Sequence, residues 1–388
     1  MKRLTFIAAL LVLLLGCTSI APAESGNTTP AEITATEAIV TTSSLETTVA
    51  PPKPEEVILA SMTLEEKVGQ LFLARCPDIN AIEDIKNYAL GGYILFSRDF
   101  DASTPHLMTQ TIAQYQGASQ IPMLIAVDEE GGSVCRVSGN PAFRKNRFSS
   151  PRKLFTKGGM DAVLLEEEEK CILLRDLGIN VNMAPVCDIA TDPNAFMYGR
   201  SLGQGPQVTS QYVSKVVSLM QSQGIGSVLK HFPGYGNNAD THTGIAIDRR
   251  TLEELESIDL VPFASGIEAG CDAILVSHTY VNAMDQAHPA SLSPAVLSYL
   301  RNEMGFSGVI VTDDLDMQAI TKQYGTEEAA VLAVLAGNDL LCTGSYAKQH
   351  RAILDAVSNG RISVAQIDDS VMRILRWKIN LGLISSTY

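Results

Sequence analysis

Eight short apolar runs recur between residues 70 and 342, and each is followed by a polar loop and a stretch of helical periodicity. Hydrophobicity within the runs is continuous rather than alternating, which is typical of strands covered on both faces in a parallel sheet. Eight such strands with helical connections predict an α/β fold, a single-domain (β/α)8 barrel of the TIM type. A doubly wound open sheet is the alternative, because the first and last strands carry the weakest pattern. The runs are 70–74, 92–96, 123–127, 181–184, 227–230, 273–276, 308–311 and 339–342.

The helical stretches between these runs are amphipathic. The clearest are 209–223 and 252–269, and Thr251 with Glu254 forms a predicted capping box at the start of the second. A last amphipathic helix is predicted over 367–383, and we expect it to pack on the outside of the barrel.

The N-terminal segment follows a different pattern. Two basic residues precede the apolar run 4–15, which is too short to span a bilayer and is typical of a secretory signal. The run ends in Leu-Leu-Gly-Cys17, which resembles the bacterial lipobox, where the signal is cleaved before a cysteine that is then acylated. Ordinary cleavage after Ala21 or Ala23 is the alternative. Residues 1–16 are therefore predicted to be a lipoprotein signal, with Cys17 lipidated.

Residues 17–54 contain no aromatic side chain and consist largely of Thr, Ser and Pro. Such a segment buries too little apolar surface to offset its chain entropy, so we expect a disordered tether. The folded body then comprises residues 55–388. This organisation predicts a monomeric protein outside the cytoplasm, held to the bacterial cell membrane by the lipid on Cys17.

The composition of the chain restricts which classes of function the folded body can have. The chain has 29 basic and 43 acidic residues, a net charge of −14, which argues against nucleic acid as a partner. Apolar residues make up 46% and charged residues 19%, as expected of a globular chain.

Charged and polar residues collect where the predicted strands end. Active sites of α/β barrels lie beyond the carboxyl ends of the strands, so this clustering favours an enzyme. The residues are Asp128, Asp188, Arg200, Lys230, His231, Ser277, His278, Asp313 and Asp314.

Asp313 directly follows Gly308-Val-Ile-Val-Thr312, the stretch that contains the seventh run. A carboxylate at the mouth of an apolar strand is a candidate nucleophile for acetal chemistry, in which it traps an oxocarbenium-like centre as an ester. Capping of a helix that begins near Leu315 is the alternative. The roles of nucleophile and helix cap are compatible if Asp314 caps the helix and Asp313 faces the barrel centre.

The stretch from His231 to His242 is rich in Gly and Asn and is predicted to be a long mobile loop after the fifth strand. Asp240 can accept a hydrogen bond from His242, fix its tautomer and leave its other nitrogen free to transfer a proton. A solvated loop with an Asx turn is one alternative. A metal site of His231, Asp240 and His242 is another, but helical His spacing and paired cysteines are missing, so we expect no metal.

Asp128 and Arg136 flank a Gly-Gly pair after the third run. A carboxylate and a guanidinium together can bind the vicinal hydroxyls of a sugar. The glycines alone indicate only a tight turn.

At these residues the chain resembles glycoside hydrolase family 3, in particular its single-domain β-N-acetylglucosaminidase branch. The resemblance begins at 63–72 and 94–97, extends to the last helix and leaves out the tether. Its most specific parts are Lys230-His-Phe-Pro-Gly and Asp240-Thr-His. The Asp313-Asp-Leu sequence lacks the Trp that usually follows the nucleophile in the β-glucosidase branch.

The resemblance implies a retaining β-N-acetylhexosaminidase in which Asp313 is the nucleophile, His242 the general acid/base and Asp240 its dyad partner. It also implies that no cofactor is needed and that the substrate is a glycan bearing N-acetylglucosamine, such as a peptidoglycan fragment. The sugar-binding residues it implies are Asp128, Arg136, Arg200, Lys230 and His231.

The sequence departs from the family pattern at two positions, which leave the leaving-group preference open. Tyr235 replaces a common His, and Ser133 replaces a common basic residue. Two alternative functions stay open. One is a phosphorylase on the same scaffold, since a histidine acid/base repels phosphate less than a glutamate, and the other is a lipoprotein that binds glycans without turnover.

Six cysteines lie beyond Cys17, mostly in apolar runs, which favours buried free thiols. One pair, Cys76 and Cys342, follows the first and eighth strands. These strands are neighbours in a closed barrel, so a bridge between the two cysteines is a further prediction.

Overall fold

The computed structural model describes residues 52–237 and 246–385, and a barrel of eight parallel strands forms its centre. Each strand pairs with the next one in sequence, and β1 also pairs with β8. A bridge between Val311 and Leu340 connects β7 to β8 and nearly closes the ring. The (β/α)8 prediction is confirmed and the doubly wound alternative is wrong. The strands are β1 Phe72–Arg75, β2 Gly92–Leu95, β3 Leu124–Val127, β4 Val181–Asn182, β5 Gly226–Phe232, β6 Ala273–Val276, β7 Val309–Thr312 and β8 Leu341–Thr343.

Helices surround the barrel. The two glycines Gly158 and Gly159 have non-helical backbone angles and interrupt α6. A 3₁₀ turn spans Ala290–Leu292, and a π turn spans Tyr299–Glu303. The α-helices are α1 Pro54–Ser61, α2 Leu64–Gln70, α3 Ala81–Tyr88, α4 Ser97–Asp101, α5 Pro105–Ala118, α6 Pro151–Leu177, α7 Pro206–Ser222, α8 Leu252–Ser257, α9 Leu260–Glu268, α10 Pro294–Ser298, α11 Gln318–Tyr324, α12 Thr326–Ala336, α13 Tyr346–Ser358 and α14 Val364–Asn380.

Side chains of each strand alternate between two apolar cores. Phe72 and Ala74 of β1 pack outward against the helices, whereas Leu73 between them packs inward with Cys342 of β8. Cys76 belongs to the outer core, on the opposite face of the sheet from Cys342. The predicted bridge between them is therefore wrong: the six cysteines of the described chain are free and buried.

The helix predicted over 252–269 is instead two helices, α8 and α9, separated at Ile258 and Asp259. The capping box of Thr251 and Glu254 is confirmed, with Glu254 N–H donating to Thr251 Oγ1 over 3.2 Å. Pro262 explains the break, because its ring is incompatible with a helical residue at position 258 and it supplies no N–H.

The last helix closes the N-terminal end of the barrel. Ile367, Val371 and Leu375 of α14 pack in the outer core, as expected of a helix on the outside of the barrel. Ile374 and Trp377 pack instead in the inner core, which contains residues of all eight strands, and this contact was not expected. The Trp377 ring lies against Gly226 at the start of β5, where an added Cβ would approach Nε1 to 3.0 Å. An open end would expose the barrel interior to water, and the indole covers it.

Lys378, next to Trp377, is fully buried at the same end. Its Nζ donates to Gln70 Oε1 over 2.7 Å, and burial lowers its pKa to about 7. In the part of the chain that the structure describes, no helix combines the length and the apolar character needed to cross a membrane.

Candidate active site

A cavity of about 510 Å³ opens at the carboxyl ends of the barrel strands. Its volume is in the range of sites that bind small molecules. Ile94, Met183 and Leu275 of the inner core form its apolar base. Its polar wall contains Arg75, Asp128, Ser133, Arg136, Arg200, Lys230, His231, Asp313 and Asp314.

Lys230 lies at the centre of a buried charge network. Its Nζ is 2.7 Å from Asp128 Oδ1 and 2.6 Å from Glu130 Oε1. Arg200 binds the two oxygens of Glu130 in a bidentate pair, at 2.6 and 2.9 Å. Burial opposes ionisation of Glu130, but Arg200 and Lys230 hold the pKa of its carboxyl well below its ordinary value. The network keeps the two cations in fixed positions at the cavity wall.

His231 is held from both sides. Asp188 Oδ2 lies 2.7 Å from Nδ1 and also accepts from the His231 backbone N–H over 3.1 Å. Arg200 Nη2 is 3.2 Å from Nε2. Because a guanidinium can only donate, this contact requires an unprotonated Nε2 and leaves Nδ1 to donate to Asp188. The other oxygen of Asp188 accepts from the Tyr235 N–H over 2.7 Å, which ties the following loop to the same carboxylate.

Two guanidinium groups lie against one aromatic ring at the cavity wall. Arg75 and Arg136 lie 5.2 and 5.4 Å from the centre of the Phe96 ring. Arg136 also pairs with Asp128 Oδ2 at 3.6 Å. Asp128 is thereby placed between Lys230 and Arg136, where its carboxylate orients both.

Asp313 lies directly after β7, at the cavity. The Asp314 N–H donates to its Oδ1 over 2.8 Å, which orients the carboxylate. Asp314 itself pairs with Arg75 and accepts from the Asp316 N–H over 2.9 Å. Burial raises the pKa of Asp314 to about 6, although Arg75 acts to lower it.

The expectation that Asp314 caps a helix near Leu315 is wrong. The next helix, α11, begins at Gln318, and Met317 occupies its N-cap position. Asp314 closes an Asx turn and neutralises Arg75 instead.

The Gly131-Gly132 pair forms a tight turn between two short antiparallel strands, Glu129–Gly131 and Val134–Cys135. Both glycines have positive φ, and an added Cβ on Gly131 would lie 2.2 Å from Ser149 O. The turn carries Ser133 to the cavity.

The predicted site residues divide into two groups. The structure brings the first group together around one cavity: Asp128, Arg136, Arg200, Lys230, His231 and Asp313. Asp240 and His242 lie outside the described residues, as does Cys17. In residues 52–237 and 246–385, no group of three His, Cys, Asp or Glu side chains is arranged to hold a metal ion.

Sequence reasoning missed three parts of the site. Glu130 was passed over although it is the shared partner of Lys230 and Arg200, and Asp188 was noted at a strand end without its role on His231. Arg75 ends β1 and reaches the cavity, where it pairs with Asp314. An acid next to a Gly-Gly turn and a basic residue ending an apolar strand were the available signals.

The chain is similar to proteins of one enzyme family. The sequence profile of the glycosyl hydrolase family 3 N-terminal domain matches residues 63–377. An uncharacterized secreted glycosyl hydrolase of Arthroderma benhamiae is 32% identical over 338 residues, which cover 81% of this chain and 93% of the relative. The beta-hexosaminidase LpqI of Mycobacterium tuberculosis is 30% identical over 351 residues, 86% of this chain and 88% of that protein.

A solved structure has the same fold. The glycoside hydrolase family 3 beta-N-acetylglucosaminidase from Paenibacillus sp. str. FPU-7 superposes with a TM-score of 0.77 and 34% identity. The match covers 83% of this chain and 63% of the Paenibacillus chain, so this chain spans less than two thirds of that protein.

Proposed function

Because the chain belongs to glycosyl hydrolase family 3 and is a glycoside hydrolase, we propose that it is a retaining β-N-acetylhexosaminidase acting on terminal N-acetylglucosamine. The observation that carries the proposal is the convergence of Lys230, Asp128, Arg136 and His231 with Asp313 in one cavity of about 510 Å³. The names of the relatives, beta-hexosaminidase and beta-N-acetylglucosaminidase, support the choice of sugar.

Sugar binding uses the charge network. Lys230 and Arg136 donate to ring hydroxyls, while Asp128 accepts from them, and each of these groups is held by its neighbours before substrate arrives. Preorganised partners of this kind lose little side-chain entropy on binding. Glu130 pairs with Lys230, and Arg200 contacts His231 at the cavity wall, so both side chains are held in position.

The chemistry is a two-step displacement. Asp313 attacks the anomeric carbon and forms a glycosyl ester while His242, in its protonated form, donates a proton to the leaving oxygen. Neutral His242 then takes a proton from water, which releases the sugar with retained configuration and regenerates Asp313. Asp240 orients His242. The near-neutral reference pKa of histidine suits both half-reactions at neutral pH.

The natural substrate in this proposal is a glycan of the cell-wall type. The secreted character of one relative supports a location outside the cytoplasm. Residues 1–16 act as the signal, Cys17 carries the lipid, 17–54 are the tether, and the body from residue 55 acts alone as a monomer.

A chromogenic assay tests the proposal. The protein should release p-nitrophenol from p-nitrophenyl N-acetyl-β-D-glucosaminide, and Asp313→Ala should lower kcat by at least about 10³-fold. Asp161→Ala, at an exposed position of α6, is the matched control and should leave the rate unchanged. Full turnover by Asp313→Ala would contradict the assignment.

The same assay run with inorganic phosphate separates a hydrolase from a phosphorylase. A hydrolase gives free N-acetylglucosamine at the same rate in both buffers. Sugar 1-phosphate as the main product would identify a phosphorylase, and binding of many glycans without turnover would identify a non-catalytic lipoprotein.

A further inference from the structure

We propose that His278 is a positioning residue for the nucleophile. It fixes the backbone of Asp314, whose N–H holds the Asp313 carboxylate in the orientation for attack on the anomeric carbon. His278 follows β6, is fully buried and, in the part of the chain that the structure describes, lies outside the cavity wall. The inference rests on the proposed function, since it concerns the step in which Asp313 forms the glycosyl ester.

The first contact joins His278 to the residue after the nucleophile. His278 Nε2 lies 2.9 Å from the carbonyl oxygen of Asp314. Because a carbonyl oxygen can only accept, Nε2 carries a hydrogen and donates it. The Asp314 N–H in turn donates to Asp313 Oδ1 over 2.8 Å. Asp314 therefore connects the buried imidazole to the nucleophile through its own backbone.

The second contact holds the imidazole at its other nitrogen. Ser291 Oγ lies 2.7 Å from His278 Nδ1, and its hydroxyl donates to the neutral ring that carries its hydrogen on Nε2. Ser291 is fully buried and is itself fixed through its backbone. Its N–H donates to Ser277 O over 3.0 Å, and its carbonyl oxygen accepts from Asn338 Nδ2 over 2.7 Å. The orientation of the ring is therefore set before substrate arrives.

The backbone around the nucleophile is also tied to both neighbouring strands. The Asp313 N–H donates to Val276 O of β6 over 2.9 Å, and the Leu315 N–H donates to Cys342 O of β8 over 2.9 Å. These two bonds fix the ends of the segment 313–315, and the imidazole fixes the Asp314 carbonyl between them. Without the imidazole this buried carbonyl loses a donor, which is costly, so the backbone at this residue should relax to a new position.

The effect on the rate should be partial. A shift of about 1 Å in a reacting group can lower a rate by about 10²-fold. The Asp314 side chain is held separately, because it pairs with Arg75 and accepts from the Asp316 N–H over 2.9 Å. We therefore expect loss of the His278 contact to slow ester formation by about tenfold and to leave sugar binding largely unchanged.

The test compares two amides at position 278. In His278→Gln the amide nitrogen lies near the position of Nε2, within reach of the Asp314 carbonyl. In His278→Asn the shorter side chain places it near the position of Nδ1, on the side of Ser291. Both variants are neutral and polar, so they differ in the contact with Asp314. His106→Asn, at an exposed position of α5, is the control for the exchange itself.

Ester formation is measured directly with a 5-fluoro N-acetylglucosaminyl fluoride, which inactivates the enzyme by forming the ester. The inactivation rate constant at saturating reagent should fall about tenfold in His278→Asn, at an unchanged half-saturating concentration. His278→Gln should restore it to within about threefold of wild type, and His106→Asn should match wild type. A role in stability alone would reduce the fraction of active molecules and leave the rate constant of the remaining ones unchanged.

A wild-type rate constant in His278→Asn, an equal loss in His278→Gln, or a change confined to the half-saturating concentration would overturn the role of His278. If His278→Asn does not fold, Ser291→Ala should lower the rate constant about threefold, and an unchanged value would overturn it. Wild-type protein that neither reacts with the fluoride nor hydrolyses the p-nitrophenyl substrate would instead refute the proposed function, so the two failures are distinguishable.

Discussion

A buried lysine lies at each end of the barrel, and the two lysines have partners of different charge. At the carboxyl end, Lys230 is 2% exposed and lies within 2.7 Å of two carboxylates, Asp128 and Glu130. At the amino end, Lys378 is completely buried and its polar contact in the described structure is the neutral amide of Gln70. Burial is nearly equal, so the difference between the two lysines is one of partners.

This difference in partners distinguishes the candidate active site at the carboxyl end from the apolar closure at the amino end. Desolvation of an ion costs several kcal/mol, and only opposite charges with good geometry offset it. The carboxyl end supplies those charges, and its cations stay fixed at the cavity. The amino end supplies apolar packing from Trp377 and Ile374, and the pKa of Lys378 falls to about 7. Replacing the lysine by methionine should therefore lower kcat/KM at the carboxyl end and raise the stability of the fold at the amino end.

Lys230→Met should have the largest effect. It removes the donor that we propose for the sugar and leaves Asp128 and Glu130 with one buried cation fewer, so we expect kcat/KM to fall by about 10³-fold, roughly 4 kcal/mol of transition-state stabilisation. Lys378→Met is the matched control and should retain wild-type kcat/KM. Equal activity losses in both variants would remove the distinction between the two ends.

Trp377→Ala should reduce stability without affecting catalysis. It empties the amino end of the inner core, which should cost about 3–5 kcal/mol and lower Tm by roughly 10 °C. Activity measured well below Tm should be unchanged. Trp377→Phe should cost less, because the buried indole Nε1 has no hydrogen-bond partner in the described structure. A lower kcat at unchanged Tm would link this end to the chemistry.

Lys378→Met should have a smaller effect, and it should depend on pH. The pKa of Lys378 is about 7 in the folded protein against an ordinary 10.5, so between these values the unfolded chain binds more protons and wild-type stability rises with pH. The variant should be more stable than wild type at pH 7, by about 2 kcal/mol after the loss of the Gln70 contact.

The stability that Lys378→Met gains over wild type should shrink as the pH rises from 7 towards 9, by up to about 1.4 kcal/mol per pH unit. Urea unfolding at pH 7, 8 and 9 measures it, with Lys348→Met at an exposed position of α13 as the control. A gain that is constant with pH would show that Lys378 does not titrate in this range.

The sequence predicted the carboxyl end better than the amino end. Continuous apolar runs indicated the barrel, and polar residues after them, such as Asp128 and Asp313, indicated the cavity, because parallel strands bring their ends together. Glu130 could not be predicted as the partner of Lys230 and Arg200, since that contact joins the short strand after β3, β5 and the loop after β4. Pairing of side chains across strands depends on register, which residue type alone does not specify.

At the amino end, amphipathicity indicated a helix over 367–383 without indicating its partner. Trp377 faces the barrel interior because the open end needs a cover, a requirement of the closed fold rather than of local sequence. The Cys76–Cys342 pairing failed for a similar reason: neighbouring strands were identified correctly, but the alternation of side chains places the two thiols on opposite faces. The Asp240–His242 dyad remains a prediction from motif and resemblance.

Identification of the residue that carries the glycosyl ester is the direct test of covalent catalysis by Asp313. The protein is treated with a 5-fluoro N-acetylglucosaminyl fluoride, which forms the ester and slows its hydrolysis, and is then digested for peptide mass spectrometry. We expect one adduct, on Asp313 after β7, with loss of activity in proportion to labelling. An adduct on another carboxylate, or continued turnover of p-nitrophenyl N-acetyl-β-D-glucosaminide by fully labelled protein, would contradict it.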